Sequence, residues 1–434
     1  MRYLFRKEFF GGVLFDRENH EYLFCDNAVA SSLHRCSVES LIQNVHPEFV
    51  HKTNGLFNND GSTNFRILDT QPQEGILSSP LQIYYDFTTY CNLSCPHCYT
   101  SSGLKQNNEL TYSEIRDWAV ELSRNGVFKI SLGGGEPLLH PQGKKIIRTF
   151  VEQDIALSLS TNGLLFSDNK LISFLNELKL RTVNISIEGG TRKSYESIRG
   201  KGNWGLFQKS VKRFAKLYKG RFALRVTIVK QTVNEVREIL KIGRELGAYC
   251  VKFKFLQLGG RSKNNMYLFP TPLDNFRVVH DALSFSKELG VKVAVPNIFS
   301  NGRTETSINR YYPLTADGKL PFRHSFGCGG GQIGAYVHPD GTYSACVSMG
   351  KEYDAYNVRT HSLRDAWANG PGFIKMRNIL TNQQCFSCQH LLKCNGGCRA
   401  RALSVYDDPG AIDPYCPHVE SSLKPLALIP ELAI

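Results

Sequence analysis

Three cysteines within eight residues constrain this chain more than any other feature. Cys91, Cys95 and Cys98 stand in the stretch Tyr90-Cys91-Asn92-Leu93-Ser94-Cys95-Pro96-His97-Cys98-Tyr99, with three and then two residues between them. On one tight loop such a set can grip three irons of a four-iron cluster. The fourth iron then has no protein ligand. An iron with an open position can bind and reduce a molecule, whereas a closed four-cysteine site only holds its metal. A three-cysteine zinc site completed by His97 or a fourth cysteine uses the same residue types, so the loop alone leaves both open.

A strand-like run, Lys129-Ile130-Ser131-Leu132, leads into Gly133-Gly134-Gly135-Glu136-Pro137. Glycines at a strand end are a weak signal by themselves; at this distance from the cysteine loop they are a strong one. The two stretches resemble the C-x3-C-x2-C signature and the GGEP element of the radical S-adenosylmethionine (SAM) enzymes. The resemblance implies an open iron that chelates the amino and carboxyl groups of SAM. The reduced cluster then cleaves the sulfonium bond, and the resulting 5′-deoxyadenosyl radical abstracts hydrogen. It also places Gly134, Gly135, Glu136 and Pro137 at the cofactor, the glycines letting the backbone approach its methionyl amino group.

The chain has 434 residues, 41% of them hydrophobic and 21% charged, as in a soluble globular protein of two or three domains. No apolar run is long enough to span a bilayer, and Met1 to Lys7 has no signal-peptide pattern. The expectation is a cytoplasmic protein without a membrane partner. In that compartment thirteen cysteines argue for metal rather than disulfides. The net charge of +13 is uneven: from Thr191 to Lys230 there are twelve Lys or Arg residues and one acid, Glu196. Leu206, Phe207, Val211, Phe214 and Tyr218 have helical spacing there, so the cations read as a solvated helix face. No nucleic-acid module is present and no nucleic-acid partner is expected.

Three regions follow: residues 1–72, 80–300 and 310–425. In the first, strand-like Leu4-Phe5 and Phe9 to Phe15 precede a turn at Asp16 to His20, and Glu21 to Phe24 returns. Asn27 or Ser31 starts a helix. A small hairpin-plus-helix module ahead of such a core resembles the winged-helix precursor-peptide recognition element of enzymes that modify ribosomally made peptides. These elements bind a leader peptide as an added strand, here expected near Phe9 to Leu14. Asn54 to Ser79 reads as a linker. The second region alternates strand and helix. Its strands are Leu81–Phe87, Lys129–Gly133, Ala156–Ser160, Thr182–Ile187, Phe222–Val229 and Val251–Leu258, with helices such as Thr111–Asn125 and Thr232–Leu246 between them. The fold class is α/β, a partial (β/α)6 radical SAM barrel whose function sits at the C-terminal strand ends.

By the same resemblance, Thr161, Asn162 and Ser186 lie near SAM, with Glu188 a further candidate and Arg199 and Arg225 as carboxylate partners. His97 reads adenine through its backbone, Tyr99 packs nearby, and Phe255 and Leu256 form an apolar wall. The third region holds seven cysteines: Cys328 and Cys346 around Gly341, then Cys385-x2-Cys388-x5-Cys394-x3-Cys398, then Cys416. This spacing resembles the SPASM domain, the auxiliary-cluster extension of peptide-modifying radical SAM enzymes; a pair of structural zinc sites could use similar ligands. The resemblance implies one cluster on Cys385, Cys388, Cys394 and Cys416 and another on Cys328, Cys346 and Cys398. The second has only three thiolates, so its fourth position is open or filled by a residue such as His324. Of the remaining cysteines, Cys250 reads as a buried small hydrophobe; Cys25 and Cys36 carry no assignment.

The resulting expectation is an oxidoreductase with SAM and three iron–sulfur clusters. It crosslinks a precursor peptide carrying a leader, by a thioether, carbon–carbon or ether bond, and draws electrons from a donor such as flavodoxin or ferredoxin. Two rivals stand beside it: an anaerobic sulfatase-maturing type that makes formylglycine, and a non-catalytic electron-transfer or peptide-binding protein.

Overall fold

The computed structural model describes residues 1–35, 55–58, 60, 62–296, 308–312, 328–388, 391–394 and 396–416. The chain begins with three strands, β1 (Tyr3–Glu8), β2 (Gly11–Asp16) and β3 (Glu21–Asp26), paired antiparallel in sequence. Helix α1 (Asn27–His34) starts where the Asp26 side chain accepts from the Val29 amide. β4 (Phe65–Leu68) returns parallel to β1. The stretch expected as a linker therefore contains a strand of the N-terminal sheet. β2 has β1 and β3 on either side, so the segment expected to offer an edge, Phe9 to Leu14, runs into the middle of that sheet.

The barrel strands are β5 (Gln82–Asp86), β6 (Lys129–Gly133), β7 (Ala156–Thr161), β8 (Thr182–Ser186), β9 (Phe222–Ile228), β10 (Cys250–Phe255) and the short β11 (Val293–Ala294). All run parallel and in sequence order. Six of them match the expected strands, β6 at both ends and the others with an end moved by at most three residues. Their side chains alternate. Leu224 and Val226, or Val251 and Phe253, are buried in the main apolar core, while Arg225 and Thr227, or Lys252 and Lys254, line a central cavity. Crossover helices cover the outer face. The helix at Tyr112–Arg124 opens with a capping box between Thr111 and Glu114 and buries Ile115, Trp118 and Leu122. The helix at Asn203–Leu217 buries Trp204, Phe207, Val211 and Phe214 and leaves Lys209, Lys212, Arg213 and Lys216 exposed, as expected of a solvated face; Lys219, also exposed, lies past its end. Leu206, expected on the apolar side, is exposed.

After the barrel, β12 (Ile308–Tyr312) joins the first sheet parallel to β3, giving the order β12-β3-β2-β1-β4. β13 (Gly334–Val337) pairs parallel with β5 and continues into antiparallel β14 (Thr342–Ser344) and β15 (Asp354–Asn357). The SPASM-like region thus extends the barrel's own sheet instead of forming a separate layer. The β13–β14 turn carries Gly341 at φ +87°. A Cβ there would also stand 2.8 Å from Leu110, so the glycine serves both the turn and its seat on the barrel.

The N-terminal module is welded to the barrel. Arg6 is fully buried; its guanidinium donates to Glu8 at 2.7 Å, to the Ser79 hydroxyl at 2.7 Å and to the Gly126 carbonyl at 2.8 Å. Glu8 in turn accepts from the Ser78 amide at 2.8 Å. Phe15 stacks on Phe128 with ring centroids 4.9 Å apart. Removing one partner of a buried, hydrogen-bonded pair strands the other charge, at a cost of about 3–5 kcal/mol. Arg6→Ala should lower the denaturation midpoint sharply, whereas the apolar pair Arg6→Met with Glu8→Leu should lose less. A midpoint for Arg6→Ala equal to the parent's would contradict the role given to this pair.

Candidate functional site

The cysteine loop leaves the C-terminal end of β5 and is closed by its own backbone. Cys91 donates to the Gly103 carbonyl at 2.9 Å, Gly103 to Thr89 at 2.8 Å, and Cys98 to Cys95 at 3.2 Å. Buried Glu109 accepts from the Thr89 amide at 2.8 Å and the Thr88 hydroxyl at 3.0 Å, fixing the loop's start. Arg261 ties down its far side, donating to the Cys95 carbonyl at 2.9 Å and the Ser102 carbonyl at 2.8 Å. Neither residue carries a sequence signal: each is a single polar residue joined to the loop only by the fold.

The glycines after β6 meet this loop from the other side. A Cβ on Gly134, at φ +111°, would lie 2.3 Å from the Thr88 carbonyl oxygen, and one on Gly135 would lie 2.0 Å from that of Tyr90. The amides of Gly135 and Glu136 donate to those same two carbonyls at 2.7 Å. The glycines thus let two backbone segments touch, a role beyond the cofactor approach expected of them. Glu136 is fully buried and accepts from Thr161 at 2.8 Å and the Asn162 amide at 2.7 Å. It ties the β6 end to the β7 end, and its burial raises its carboxyl above the ordinary range against those hydrogen bonds. Pro137 is buried at the start of a short turn. Of the expected cofactor residues, Glu136 and Pro137 stand behind the cavity wall. Its lining includes His97, Tyr99, Gly134, Gly135, Thr161, Asn162, Ser186, Glu188, Arg199, Arg225 and Leu256.

Glu188, at the end of β8, pairs with Arg199 and lies 3.9 Å from His97 Nε2. Burial would raise the Glu188 carboxyl, but the Arg199 charge, His97 and the Arg199 hydrogen bond bring it below its ordinary value. Arg199 also reaches Cys95 Sγ at 3.8 Å. It is therefore engaged by an ion pair beside the cysteines. Burial lowers His97 to about 4, and its Nδ1 has no hydrogen-bond partner among the described residues. Asn162 donates to Asn92 at 2.8 Å, and Arg225 to Ser160 at 3.2 Å.

Cys91, Cys95, Cys98, Cys328, Cys346, Cys394 and Cys398 all face one cavity of about 1130 Å³. Two groups form in the C-terminal region. Burial raises the Cys346 thiol to about 12, with Cys328 and Cys398 adding to it. Burial raises Cys394 to about 11, with Cys416 and Cys385 as neighbours, and Cys388 stands by Cys385. A bound iron reverses such shifts by ionising the thiols. Among the described residues no three His, Cys, Asp or Glu side chains converge closely enough for a single metal ion. Zinc draws its sulfurs around one centre, whereas a cluster's ligands hold different irons, so these soft donor sets suit clusters. His324 and Cys36 lie outside the described residues. Cys25 is buried in the N-terminal module and Cys250 at the start of β10.

β13 is what joins the two halves of the site. Its pairing with β5 brings Tyr336 to Asp86, whose Oδ2 accepts from Tyr336 at 2.6 Å and from Tyr99 at 2.8 Å. Residues 85–242 match the model of the radical SAM superfamily, and residues 328–389 match that of the iron–sulfur cluster-binding SPASM domain. The chain is a radical SAM enzyme with a SPASM domain. Its cofactors are SAM, a [4Fe-4S] cluster and auxiliary iron–sulfur clusters. The mycofactocin maturase MftC of Mycobacterium ulcerans (strain Agy99) is 26% identical over 343 residues, covering 78% of this chain and 88% of the relative. The PqqA peptide cyclase of Methylobacterium nodulans is 28% identical over 381 residues, covering 82% and 90%. Among solved structures, Streptococcus suis SuiB bound to precursor peptide SuiA superposes with a TM-score of 0.72 at 18% identity, covering 95% of this chain and 97% of that one. That likeness extends over the N-terminal module. Among the described residues no helix is long and apolar enough to cross a membrane.

Gly135→Ala drives a methyl group into the Tyr90 carbonyl. It should cut the iron held at the cysteine loop and lower SAM cleavage at least tenfold, measured by iron content and 5′-deoxyadenosine yield. Full iron and full cleavage in this variant would contradict the glycine contact.

Proposed function

We propose that the enzyme matures a peptide, forming a thioether, carbon–carbon or ether crosslink within a ribosomally made precursor. The observation that carries this reading is the single cavity onto which both the SAM cysteines and Cys328, Cys346 and Cys398 open. In this space of about 1130 Å³, SAM, the clusters and the reacting segment of the substrate lie side by side. When bound, SAM and its reduced cluster supply a radical that takes a hydrogen atom from an unactivated carbon.

The chain's own residues do the rest. Thr161, Asn162, Ser186 and Tyr99 position SAM at the strand ends, and the Glu188–Arg199 pair sets the charge beside Cys95. Forming a crosslink from X–H and C–H removes two hydrogens. One leaves with 5′-deoxyadenosine. The other leaves as a proton and an electron, for which the auxiliary trio is a nearby acceptor. A flavodoxin- or ferredoxin-type donor in a reducing cytoplasm supplies the starting electron. The N-terminal module recognises the leader, and because β2 is interior, strand addition falls to an outer strand, β4 or β12. This module, present as a folded unit, favours peptide maturation over the formylglycine-forming rival.

The test uses the reconstituted enzyme, a reductant, SAM and the precursor encoded beside its gene. The product should be lighter by the two hydrogens lost and unreactive toward a hydrazide, and leaderless peptide should be modified far less. Replacing Cys91, Cys95 and Cys98 together with Ala should abolish SAM cleavage while retaining auxiliary-cluster iron. A hydrazide-reactive product would establish the formylglycine reading, and absence of SAM cleavage by the parent enzyme would establish the non-catalytic one.

A further inference from the structure

Among the described residues, the barrel lumen carries more positive charge than its neighbours neutralise. Arg225 on β9 stands in register with Lys252 on β10, and Lys254 follows two residues along the same strand. All three belong to the inward-facing set and line the cavity. Val251 and Phe253, which alternate with the lysines, are buried on the opposite face. Arg225 donates to Ser160 at 3.2 Å and Lys252 to the Asn184 side-chain oxygen at 2.9 Å. Both acceptors are neutral. The Lys254 ammonium makes no hydrogen bond or ion pair among the described residues, and the residue is exposed toward the cavity.

Among the described residues, the carboxylates that line this cavity are committed elsewhere. Glu188 pairs with Arg199 and Asp413 with Arg401. Asp86 accepts from two tyrosines on one oxygen, and although it feels the Arg225 charge it forms no ion pair with it. Arg225 is also the largest cause of the low affinity of Lys254 for its proton, ahead of burial and Lys252. Arg225, Lys252 and Lys254 crowd together at the wall of one cavity, and an anion entering that cavity stabilises their charged forms.

We propose that Arg225, Lys252 and Lys254 form a carboxylate subsite in the lumen, which takes an acidic side chain or the C-terminal carboxylate of the substrate peptide and so sets which residue lies beside SAM. The proposal rests on the peptide-maturase reading and narrows its substrate to a peptide with a carboxylate near the modified position. Lys252 and Lys254 reach the lumen from β10, and the cysteine loop opens on the same cavity, so a peptide held by its carboxylate at the lysines shares that cavity with SAM.

Binding to the full-length, cluster-loaded enzyme with SAM present tests this with three probes: N-acetyl-Gly-Glu-Gly-amide, N-acetyl-Gly-Gln-Gly-amide and N-acetyl-Gly-Gln-Gly with a free C-terminus. A charge-assisted contact predicts that at least one carboxylate-bearing probe binds about tenfold tighter than the neutral one at low salt. The advantage should shrink as salt rises. Preference for the first probe identifies an acidic side chain, and preference for the third a chain terminus. Lys252→Gln with Lys254→Gln should erase the preference without weakening SAM, while Lys254→Arg should keep it; relief of repulsion should leave the melting midpoint of the double variant no lower. Equal binding of all three probes, or a preference that survives the double variant, overturns the proposal. So does loss of SAM affinity in that variant, which would assign the cations to the cofactor's own carboxylate. A parent enzyme that shows the preference but leaves the precursor encoded beside its gene unmodified contradicts the peptide reading alone, and the carboxylate subsite stands.

Discussion

A Cβ on Gly135 would stand 2.0 Å from the Tyr90 carbonyl oxygen, and one on Gly134 would stand 2.3 Å from that of Thr88. The active end of the barrel depends on this backbone-to-backbone contact. It sets the cysteine loop against the end of β6, and from there Glu136 hands the position on to Thr161 and Asn162 at the end of β7. Glu109 and Arg261 hold the loop's other flanks through backbone atoms. The thiols are thereby presented from a segment fixed on three sides. A preorganised ligand set of this kind keeps its geometry when irons bind and when electrons pass.

The second constraint is the continuity of the sheet. A separate auxiliary-cluster domain could sit anywhere relative to the barrel. Here β13 adds to β5 in parallel, with Tyr336 opposite Tyr84, and the Trp118 indole donates to Tyr343 at 2.8 Å behind it. Cys328 and Cys346 flank β13 and β14 and so are carried to the cavity by the same hydrogen-bond ladder that closes the barrel's edge. The lumen itself differs from a packed barrel core: Tyr84, Ser131, Ser160, Ser186, Arg225, Thr227, Lys252 and Lys254 line a cavity where many barrels hold layers of branched apolar side chains.

Much of this was legible in the sequence. The six barrel strands announced themselves by period-two alternation. The two cysteine sets of the C-terminal region were implied by the resemblance alone, and the structure adds that Cys346 neighbours Cys328 and Cys398 while Cys394 neighbours Cys416 and Cys385. Local pattern could not show partners distant in the chain. β4 lies in a segment rich in turn residues and becomes a strand only through β1. β12 pairs with a strand nearly three hundred residues earlier. Phe9 to Leu14 looked like an edge because a hairpin has two, and the third neighbour was invisible. Glu109, Arg261 and Asp86 carry no motif at all. Lys252 and Lys254 could have been found, since they alternate with Val251, Phe253 and Phe255 and so had to face inward together.

The central claim is that substrate and SAM occupy one cavity, with a substrate carbon within hydrogen-transfer reach of the cofactor. The most direct measurement is deuterium transfer from the fully deuterated precursor peptide to 5′-deoxyadenosine, read by mass spectrometry in a single turnover. The account predicts 5′-deoxyadenosine carrying one deuterium in step with peptide modification. Unlabelled 5′-deoxyadenosine accompanying modified peptide would contradict it.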